Sequence, residues 1–209
     1  EPGAGTDAQG QQTKAVLDGD EWVLNGSKIF ITNGKEADIY VIIAVTGTKE
    51  DARGRKKKEI SAFIVEKGTP GFTFGTKEKK MGIRGSATYE LIFTDCRIPK
   101  ENLVGELNRG FPIFMKCVDD GRVAISAVAV GMAQGVLERA ARYSKERVTF
   151  GHPICENQAI AFKLAEMATE IEVARAMLYN TARMSDNGVP FSKEATMCKM
   201  FCSEMCVRV

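Results

Sequence analysis

The sequence predicts an α+β fold, in which an antiparallel β-sandwich or barrel-like domain precedes a domain of long antiparallel helices. In the first half, β-branched and aromatic runs are separated by Gly, Asn, Asp and Pro, and none has the length of a helix. From about Gly110, apolar residues recur every three or four positions, which is the spacing of a helix face. The predicted domains are residues 1–107 and residues 108–209.

The predicted strands are bounded by turn residues. Asp18-Gly19-Asp20 lies between two apolar runs and indicates a tight hairpin, and Asn33-Gly34 closes the run KIFIT. The other strands are DIYVIIAVT, ISAFIVE, FTFGT and YELIFTDCRI, the last of which ends before Pro99. Many short strands with frequent turn signals are typical of antiparallel sandwiches and barrels.

The first predicted helix begins near Gly110. Pro112 suits its first turn, because the fixed φ of proline is that of a helix. Val128, Met132 and Val136 follow at helical spacing and predict an apolar face.

A second helix carries a clearer apolar stripe. Its members are Ile160, Leu164, Met167, Ile171, Ala174 and Leu178. Asn187-Gly188 is expected to end this helix. Ser192 is expected to cap a third helix, since a serine hydroxyl can accept a hydrogen bond from a free amide of the first turn.

The composition is that of an ordinary globular protein, with 44% hydrophobic and 27% charged residues. A net charge of +2, from 29 basic and 27 acidic side chains, gives no electrostatic support for binding nucleic acid or an anionic membrane.

No apolar run approaches the roughly 20 residues that span a bilayer, and no leader peptide is recognised. Six cysteines are expected to be reduced thiols, so a cytoplasmic location is predicted.

Two segments share features with nucleotide-binding patterns. Gly3 and Gly5 lack the third glycine of a dinucleotide fingerprint, because position 8 is Ala8, and no strand precedes them. The run RGRKKK at 53–58 could hold a nucleotide phosphate. A charged run between two predicted strands is more typical of a solvated hairpin loop.

No metal site is predicted. His152 is the only histidine, and it lies in a Gly-His-Pro segment typical of a surface turn. Cys198, Cys202 and Cys206 lie on one face of a predicted helix. Thiolate metal sites prefer closer spacings, and small residues on a helix stripe usually pack in a core.

Five motifs occur in one order along the chain. They are EPGAGTD, NGSKIFITNG, ISAFIVEKGTPGF, KMGIRGSATYELIFTDCRIP and ERVTFGHPI followed by Gln158. In these motifs the sequence resembles the acyl-CoA dehydrogenase family, in particular its short-chain, butyryl-CoA dehydrogenase-like members. The resemblance implies that residues 1–107 are the middle β domain, which faces flavin and acyl-CoA, and that residues 108–209 are part of a C-terminal four-helix bundle.

The resemblance also implies a function. Members of the family bind FAD and remove two hydrogens across the α and β carbons of a fatty acyl-CoA thioester. A glutamate takes the α proton, the flavin takes the β hydride, and the electrons pass to an electron-transfer flavoprotein. A homo-oligomer, either a dimer or a tetramer, is implied because FAD extends to a neighbouring subunit.

Cofactor contacts are implied position by position. The loop Glu1–Thr6 would line the flavin, where its glycines let backbone amides approach closely. Phe30 would cover the flavin, the Thr32 hydroxyl would bond to it, and Arg147 would hold a pyrophosphate with its planar fork. The implied cofactor-binding residues are Glu1, Pro2, Gly3, Ala4, Gly5, Thr6, Phe30, Ile31, Thr32, Arg147, Phe150 and Gln158.

The residues of the segment KIFIT also carry information without the resemblance. Strand alternation places Ile29 and Ile31 on one face and Phe30 and Thr32 on the other. An ordinary buried strand with Phe30 in the core remains open from the residues alone.

Substrate contacts are implied for Thr6 and for a segment of the first helix. The segment comprises Asp119, Asp120, Gly121 and Arg122, which from the residues alone would be an exposed helix face. Some relatives carry the catalytic glutamate immediately before the arginine that matches Arg122, but Gly121 occupies that position here. Proton abstraction needs a positioned carboxylate. The base is therefore expected outside this chain, and the 209 residues alone are expected to be inactive.

Two alternatives remain open from the sequence. One keeps the fold but is an acyl-CoA oxidase or a flavin monooxygenase-like relative, in which oxygen reacts with the reduced flavin. The other is a non-enzymatic assembly module that binds a partner through its helix stripes and holds no flavin.

Overall fold

The computed structural model describes residues 1–50 and 54–209. These residues form two compact units, Glu1–Met115 and Lys116–Val209. The first unit contains a β-sheet, and the second contains long helices. The predicted α+β class is confirmed.

A mixed sheet of seven described strands forms the first unit. The strands are β1 (Lys14–Asp18), β2 (Glu21–Thr32), β3 (Ile39–Glu50), β4 (Lys56–Glu66), β5 (Phe72–Lys77), β6 (Thr88–Pro99) and β7 (Leu103–Val104). Their order across the sheet is β5-β6-β2-β1-β3-β4-β7. Short 3-10 helices lie at Ala8–Gly10 and Lys100–Asn102.

Among the described strands, β1 and β3 form the one parallel pair. Lys14 lies opposite Val45, and the N–H of Val45 donates to the carbonyl of Thr13 at 2.8 Å. The prediction of a purely antiparallel sheet is wrong for this pair. β2 ends at the end of the sheet where β1 starts, because the two strands are antiparallel. Since only the short segment 33–38 connects β2 to β3, β3 also starts at that end and runs in the same direction as β1.

The predicted β1–β2 hairpin is confirmed. Asp18 pairs with Glu21 across a two-residue loop. Gly19 adopts a φ of +63° in that loop, which a glycine reaches without the steric cost of a side chain.

Aromatic side chains fill much of the core of the first unit. The rings of Phe72 and Phe93 stack at 4.9 Å, and the rings of Trp22 and Phe63 lie 5.1 Å apart. Leu24 is fully buried beside them. Since these residues come from β2, β4, β5 and β6, their packing holds both halves of the sheet on one core.

The hairpin between β3 and β4 has longer strands than predicted. The ladder continues through residues 56–58, so the prediction of a loop is wrong for these three lysines. Arg53 lies outside the described residues. The Nζ atom of Lys58 donates to the main-chain carbonyls of Gly10 and Gln11 at 3.0 and 2.6 Å, so this lysine is engaged within the chain.

Three long helices follow. They are α1 (Gly110–Glu146), which begins in the first unit, α2 (Gln158–Asp186) and α3 (Ser192–Arg208). Between α1 and α2 lie the two-residue strands β8 (Val148–Thr149) and β9 (His152–Pro153) and a 3-10 turn at Ile154–Glu156.

All three helices contribute to the core of the second unit. Its buried members are Val130, Ala133, Ile171, Ala174, Leu178, Cys198, Cys202 and Met205. The predicted stripe on α2 is confirmed at its buried centre. On α1, however, Val128, Met132 and Val136 are 53%, 61% and 48% exposed. A 37-residue helix carries more than one apolar face, and spacing alone did not identify the one that packs on α2 and α3.

The predicted end of α2 is confirmed, whereas the predicted cap of α3 is wrong. Gly188 follows the end of α2 with a φ of +67°, which confirms the predicted stop. Ser192 does not cap α3, because Phe191 occupies the cap position. The Ser192 hydroxyl instead donates to the carboxylate of Asp119, which is a stronger acceptor than a neutral group.

Helix α1 also meets the length and hydropathy criteria for a membrane span, with a mean hydropathy of 1.3 in its most apolar window. The expectation from the sequence concerned an unbroken apolar run of roughly 20 residues, whereas α1 meets the criteria through its mean hydropathy over a window. These two criteria alone are weak support for a span, since core helices of soluble proteins also meet them.

Candidate functional site

The carboxylate of Glu1 is buried and hydrogen-bonded. Its side chain is 6% exposed, and it accepts from Lys28 Nζ at 2.5 Å, from the N–H of Thr13 at 3.2 Å and from the N–H of Gln12. Burial opposes ionisation of this carboxyl, but the hydrogen bonds and the charge of Lys28 outweigh burial and lower its pKa to about 2. The Glu1 side chain is thus an anchor within the chain.

The rest of the N-terminal loop leaves its polar groups available. Among the described residues, the N–H groups of Gly3, Gly5 and Thr6 and the Thr6 hydroxyl have no hydrogen-bond partner. A Cβ added to Gly3 or Gly5 would meet no described atom within 4 Å. Packing within the described chain therefore does not require glycine at these positions, and a ligand can approach the backbone closely.

Phe30 lies at a β-bulge in β2. Lys28 pairs with Leu91 and Ile31 with Tyr89, so β2 has one more residue than β6 between these pairs. Phe30 has a φ of +59° and is 66% exposed. The alternative that Phe30 belongs to the core is wrong. A bulky residue in the left-handed region is strained, and such residues concentrate at functional sites.

The neighbours of Phe30 follow the predicted alternation of faces. Ile31 is half-buried and packs against the core of the first unit. Thr32 is exposed, and its hydroxyl has no partner among the described residues. The segment therefore leaves an aromatic ring and a free hydroxyl exposed within three residues of the strand.

Phe150 occupies the tip of the β8–β9 hairpin. It has a φ of +54° and is followed by Gly151 at +87°, which is the backbone of a type I′ turn. Its ring is 97% exposed. At the base of the hairpin, the carbonyl of Arg147 accepts from the N–H of Ile154 at 2.9 Å. Gln158 is exposed at the start of α2.

The predicted substrate-binding segment of α1 is partly engaged within the second unit. Asp119 is 9% exposed and accepts from the Arg122 guanidinium at 2.6 Å and from Ser192. Asp120 accepts from the Ser185 hydroxyl at 3.5 Å. The expectation of an exposed face is wrong for Asp119, because its carboxylate links α1 to the start of α3.

The space next to Gly121 is open, and part of the Arg122 side chain is exposed. A Cβ on Gly121 would meet no described atom within 4 Å. The Arg122 side chain is 31% exposed while its NH1 group is held by Asp119. This arrangement orients a cation and leaves part of it accessible to an anionic ligand.

The predicted site residues form separate groups. In the first unit, the Glu1–Lys28 pair brings the loop Glu1–Thr6 to β2, two residues before Phe30. In the second unit, Asp119 joins Arg122, and Arg147 and Phe150 share one hairpin.

Lys28 was missed in the sequence interpretation. It is 8% exposed, and its Nζ atom donates to Gln11 Oε1 at 2.9 Å as well as to Glu1. Burial lowers its pKa, and the hydrogen bond and charge of Glu1 oppose that shift. Trp22, Leu24 and Lys28 stand at even spacings on β2, so alternation could have placed this lysine on the buried face.

Two family models match the chain. One, described as acyl-CoA dehydrogenase, middle domain, matches residues 1–96, and the other, described as acyl-CoA dehydrogenase, C-terminal domain, matches residues 108–209. The chain belongs to the acyl-CoA dehydrogenase family. This confirms the resemblance carried by the five motifs, and with it membership of an oxidoreductase family.

Relatives in this family align along almost the whole chain. The short-chain specific acyl-CoA dehydrogenase of Megasphaera elsdenii is 49% identical over 210 residues, covering 100% of this chain and 54% of that protein. The structure of butyryl-CoA dehydrogenase from the same organism has a TM-score of 0.91 and 49% identity, covering 98% of this chain and 52% of that chain. The chain thus spans about half the length of the curated relatives it matches.

A further solved structure is described as the electron transferring flavoprotein of Acidaminococcus fermentans, in a study of flavin-based electron bifurcation. It contains a chain with 53% identity and a TM-score of 0.89, and the alignment covers 98% of this chain and 53% of that one.

The acyl-CoA dehydrogenase family is FAD-dependent, which confirms the cofactor expectation for the family. The described residues fit this group by their chemistry. Free amides in the loop Pro2–Thr6 and the Thr32 hydroxyl suit the carbonyl oxygens and ring nitrogens of a flavin. The exposed ring of Phe30 suits its flat face. Arg147 suits a pyrophosphate.

Proposed function

We propose that the protein containing this chain catalyses the FAD-dependent α,β-dehydrogenation of a short-chain acyl-CoA thioester to the 2-enoyl-CoA, with electrons passed to an electron-transfer flavoprotein. One observation carries the proposal. Phe30 keeps a strained backbone at a bulge and exposes its ring, in a chain that is 49% identical to a short-chain specific acyl-CoA dehydrogenase.

The first unit supplies groups that hold and orient the flavin. The amides of Gly3, Gly5 and Thr6 would be donors for its polar edge, and the exposed Phe30 ring would cover one face and exclude water from it. When bound, FAD supplies the two-electron acceptor for the substrate. In this proposal Arg147 would hold the pyrophosphate of the cofactor, and Phe150 would also contact the cofactor.

The second unit supplies groups for the acyl-CoA. Arg122 offers a cation to an anionic ligand, and Asp119 fixes the position of its guanidinium through the 2.6 Å hydrogen bond. Thr6 is placed to meet the substrate from the flavin-lining loop. Abstraction of the α proton requires a carboxylate. Gly121 has no side chain, and the carboxylates of Asp119 and Asp120 already accept hydrogen bonds within the second unit. We therefore assign this step to a carboxylate elsewhere in the protein.

The electron acceptor and the assembly are part of the same proposal. The similarity to a chain in the electron transferring flavoprotein structure supports a flavoprotein partner. A homo-oligomer is proposed from the family resemblance. The exposed apolar residues Val128, Met132 and Val136 on α1 need a covering surface, which further helices of the same protein or another subunit would supply.

The test begins with the complete reading frame that contains these residues. The purified protein should show the absorption bands of oxidised flavin, and butyryl-CoA should bleach them under anaerobic conditions. Palmitoyl-CoA, offered at the same concentration, should bleach them far more slowly. A protein that binds no flavin, or that prefers the long chain, would contradict the proposal.

The electron acceptor separates the dehydrogenase from the oxidase alternative. Turnover should require an electron-transfer flavoprotein, and little peroxide should form in air. Thr32→Val should weaken flavin binding, because it removes the free hydroxyl on β2. Thr73→Val is the matched control, since Thr73 is an exposed threonine on β5 of the same sheet.

A further inference from the structure

We propose that the Lys28–Glu1 ion pair is a positioning device that locks the flavin-lining loop Pro2–Thr6 onto β2 in register with the Phe30 bulge. This role rests on the proposed function, because the loop and the bulge are the flavin-facing elements in it. Lys28 is a positioning residue, since its Nζ atom donates to side chains of the protein.

The loop Pro2–Thr6 is attached to the buried segment Gln11–Thr13. Gln11 and Thr13 are 3% and 1% exposed. The Thr13 hydroxyl donates to the carbonyl of Ser27 at 3.3 Å, and its own carbonyl accepts from Val45 at 2.8 Å. A Cβ on Gly26 would lie 2.7 Å from the Cα of Thr13, so the segment is in close contact with β2.

Glu1 connects the loop Pro2–Thr6 to the buried segment Gln11–Thr13. Its carboxylate accepts from the main-chain N–H groups of Gln12 and Thr13 and from Lys28. These three donors converge on one side chain that is 6% exposed. A carboxylate buried in this way is held firmly, because losing any donor would leave charge without compensation.

The loop itself has few other attachments among the described residues. Inside Pro2–Thr6, the N–H of Ala4 donates to the carbonyl of Glu1 at 3.2 Å, and this turn closes on Glu1 itself. At the far end, the N–H of Gly10 donates to the carbonyl of Asp7 at 3.0 Å. The position of the free amides in the loop therefore depends on where the Glu1 side chain is fixed.

Lys28 sets this position relative to the bulge. It lies two residues before Phe30 and pairs with Leu91 immediately before the register shift. Its Nζ atom donates to Glu1 at 2.5 Å and to Gln11 at 2.9 Å. One side chain therefore contacts both Glu1, which anchors the loop, and the buried segment Gln11–Thr13. The spacing between the loop amides and the Phe30 ring is thereby fixed by a single lysine.

Hydrogen exchange on the flavin-free protein tests the lock directly. Lys28→Met should speed exchange in a peptide covering residues 1–13 by about tenfold or more, because the anchor opens more often. Exchange in the strand β5 should be unchanged. Arg97→Met is the matched control, since Arg97 forms an exposed ion pair with Asp18 and Glu21 on the same sheet and should leave the peptide protected.

Flavin binding tests the consequence of the lock. FAD titrated into the apoprotein and followed by quenching of flavin fluorescence should bind Lys28→Met about tenfold or more weakly, with a shifted visible spectrum. Lys28→Arg should restore part of the affinity, because it returns a cation to Glu1. Wild-type exchange and wild-type affinity in Lys28→Met would overturn the proposal.

A second variant covers the case in which Lys28→Met does not fold. Lys28→Met combined with Glu1→Gln removes the uncompensated charge while the ion pair stays broken, and Glu1→Gln alone changes almost no volume. Either variant should show fast exchange in residues 1–13 and weak flavin binding. If a folded variant shows neither change, the lock is disproved, whereas a wild-type protein that binds no flavin would disprove only the proposed function.

Discussion

Asp119 on α1 and Ser192 at the start of α3 are joined by a hydrogen bond from the serine hydroxyl to the carboxylate. The same carboxylate accepts from Arg122 at 2.6 Å. A single buried acid thus connects the predicted substrate-binding segment to a helix that lies more than seventy residues further along the chain. The stability of the second unit and the orientation of Arg122 are therefore linked.

Replacing Ser192 with Ala should lower the free energy of unfolding by about 1–2 kcal/mol, because it leaves a buried carboxylate with one donor fewer. Urea unfolding followed by circular dichroism measures this change. Ser203→Ala is the control, since its hydroxyl donates to the carbonyl of Lys199 on an exposed face of the same helix. Equal losses in both variants would argue against a special role for the Asp119 contact.

Replacing Phe30 with Gly should stabilise the flavin-free protein and weaken flavin binding. Glycine tolerates the φ of +59°, so relief of strain should raise the free energy of unfolding by about 1 kcal/mol. Loss of the exposed ring should at the same time weaken flavin binding. Thermal unfolding and flavin titration measure the two effects. Asn33→Gly is the control, because Asn33 has a φ of +58° but asparagine tolerates it.

Stability should depend on pH through Glu1. Its pKa falls from 4.5 to about 2 on folding, so the ionised carboxylate stabilises the protein above pH 4.5 and this contribution is lost as the pH falls towards 2. The contribution at neutral pH is on the order of 2–3 kcal/mol. In urea unfolding between pH 2 and 7, the difference between wild type and Glu1→Gln should shrink as the pH falls.

The control for this pH dependence is Glu21→Gln. Glu21 is an exposed partner of Arg97, and an exposed pair contributes little to stability. Its difference from wild type should be small at every pH. A difference for Glu1→Gln that stays constant from pH 7 to pH 2 would show that ionisation of Glu1 is not the cause.

The cysteines should differ in reactivity. Burial raises the pKa of Cys96 to about 11, and burial together with the neighbouring Cys198 raises that of Cys202 to about 12. The thiolate is the reactive form, so neither thiol should be alkylated by iodoacetamide at pH 8 in the folded protein. Cys117 is exposed and should be alkylated. Mass spectrometry of proteolytic peptides identifies the modified residues, and rapid modification of Cys202 would contradict its burial.

The burial of Cys198 and Cys202 is a case in which helical spacing predicted the packed residues correctly. Their Sγ atoms lie 3.8 Å apart in the core of the second unit, in agreement with the packing interpretation of the stripe. Spacing failed on α1, where Val130 and Ala133 pack inward while Val128 and Met132 are exposed. Periodicity reports which residues share a face, and the neighbouring helices decide which face is covered.

The motifs predicted which segments carry the candidate site, but they did not predict all of its local geometry. Alternation within KIFIT grouped Phe30 with Thr32, and both are exposed. Continued from Trp22, Leu24 and Lys28, however, alternation would place them on the buried face, and the bulge at Phe30 reverses this. The strained φ of Phe30 could not be predicted, because the bulge arises from the register with β6. Lys28 was overlooked because its partner Glu1 is distant in sequence and meets it only in the folded sheet.

The sequence by itself determined the α+β class, the turns at Gly19 and Gly188 and the family, because these depend on local periodicity, on the freedom of glycine and on motifs in a fixed order. The tertiary structure decided the parallel pairing of β1 with β3, the ion pair between Glu1 and Lys28 and the hydrogen bond from Ser192 to Asp119. Each of these joins residues distant in the chain. Such contacts depend on which edges and charges remain unpaired once the core has formed, and local patterns do not contain that information.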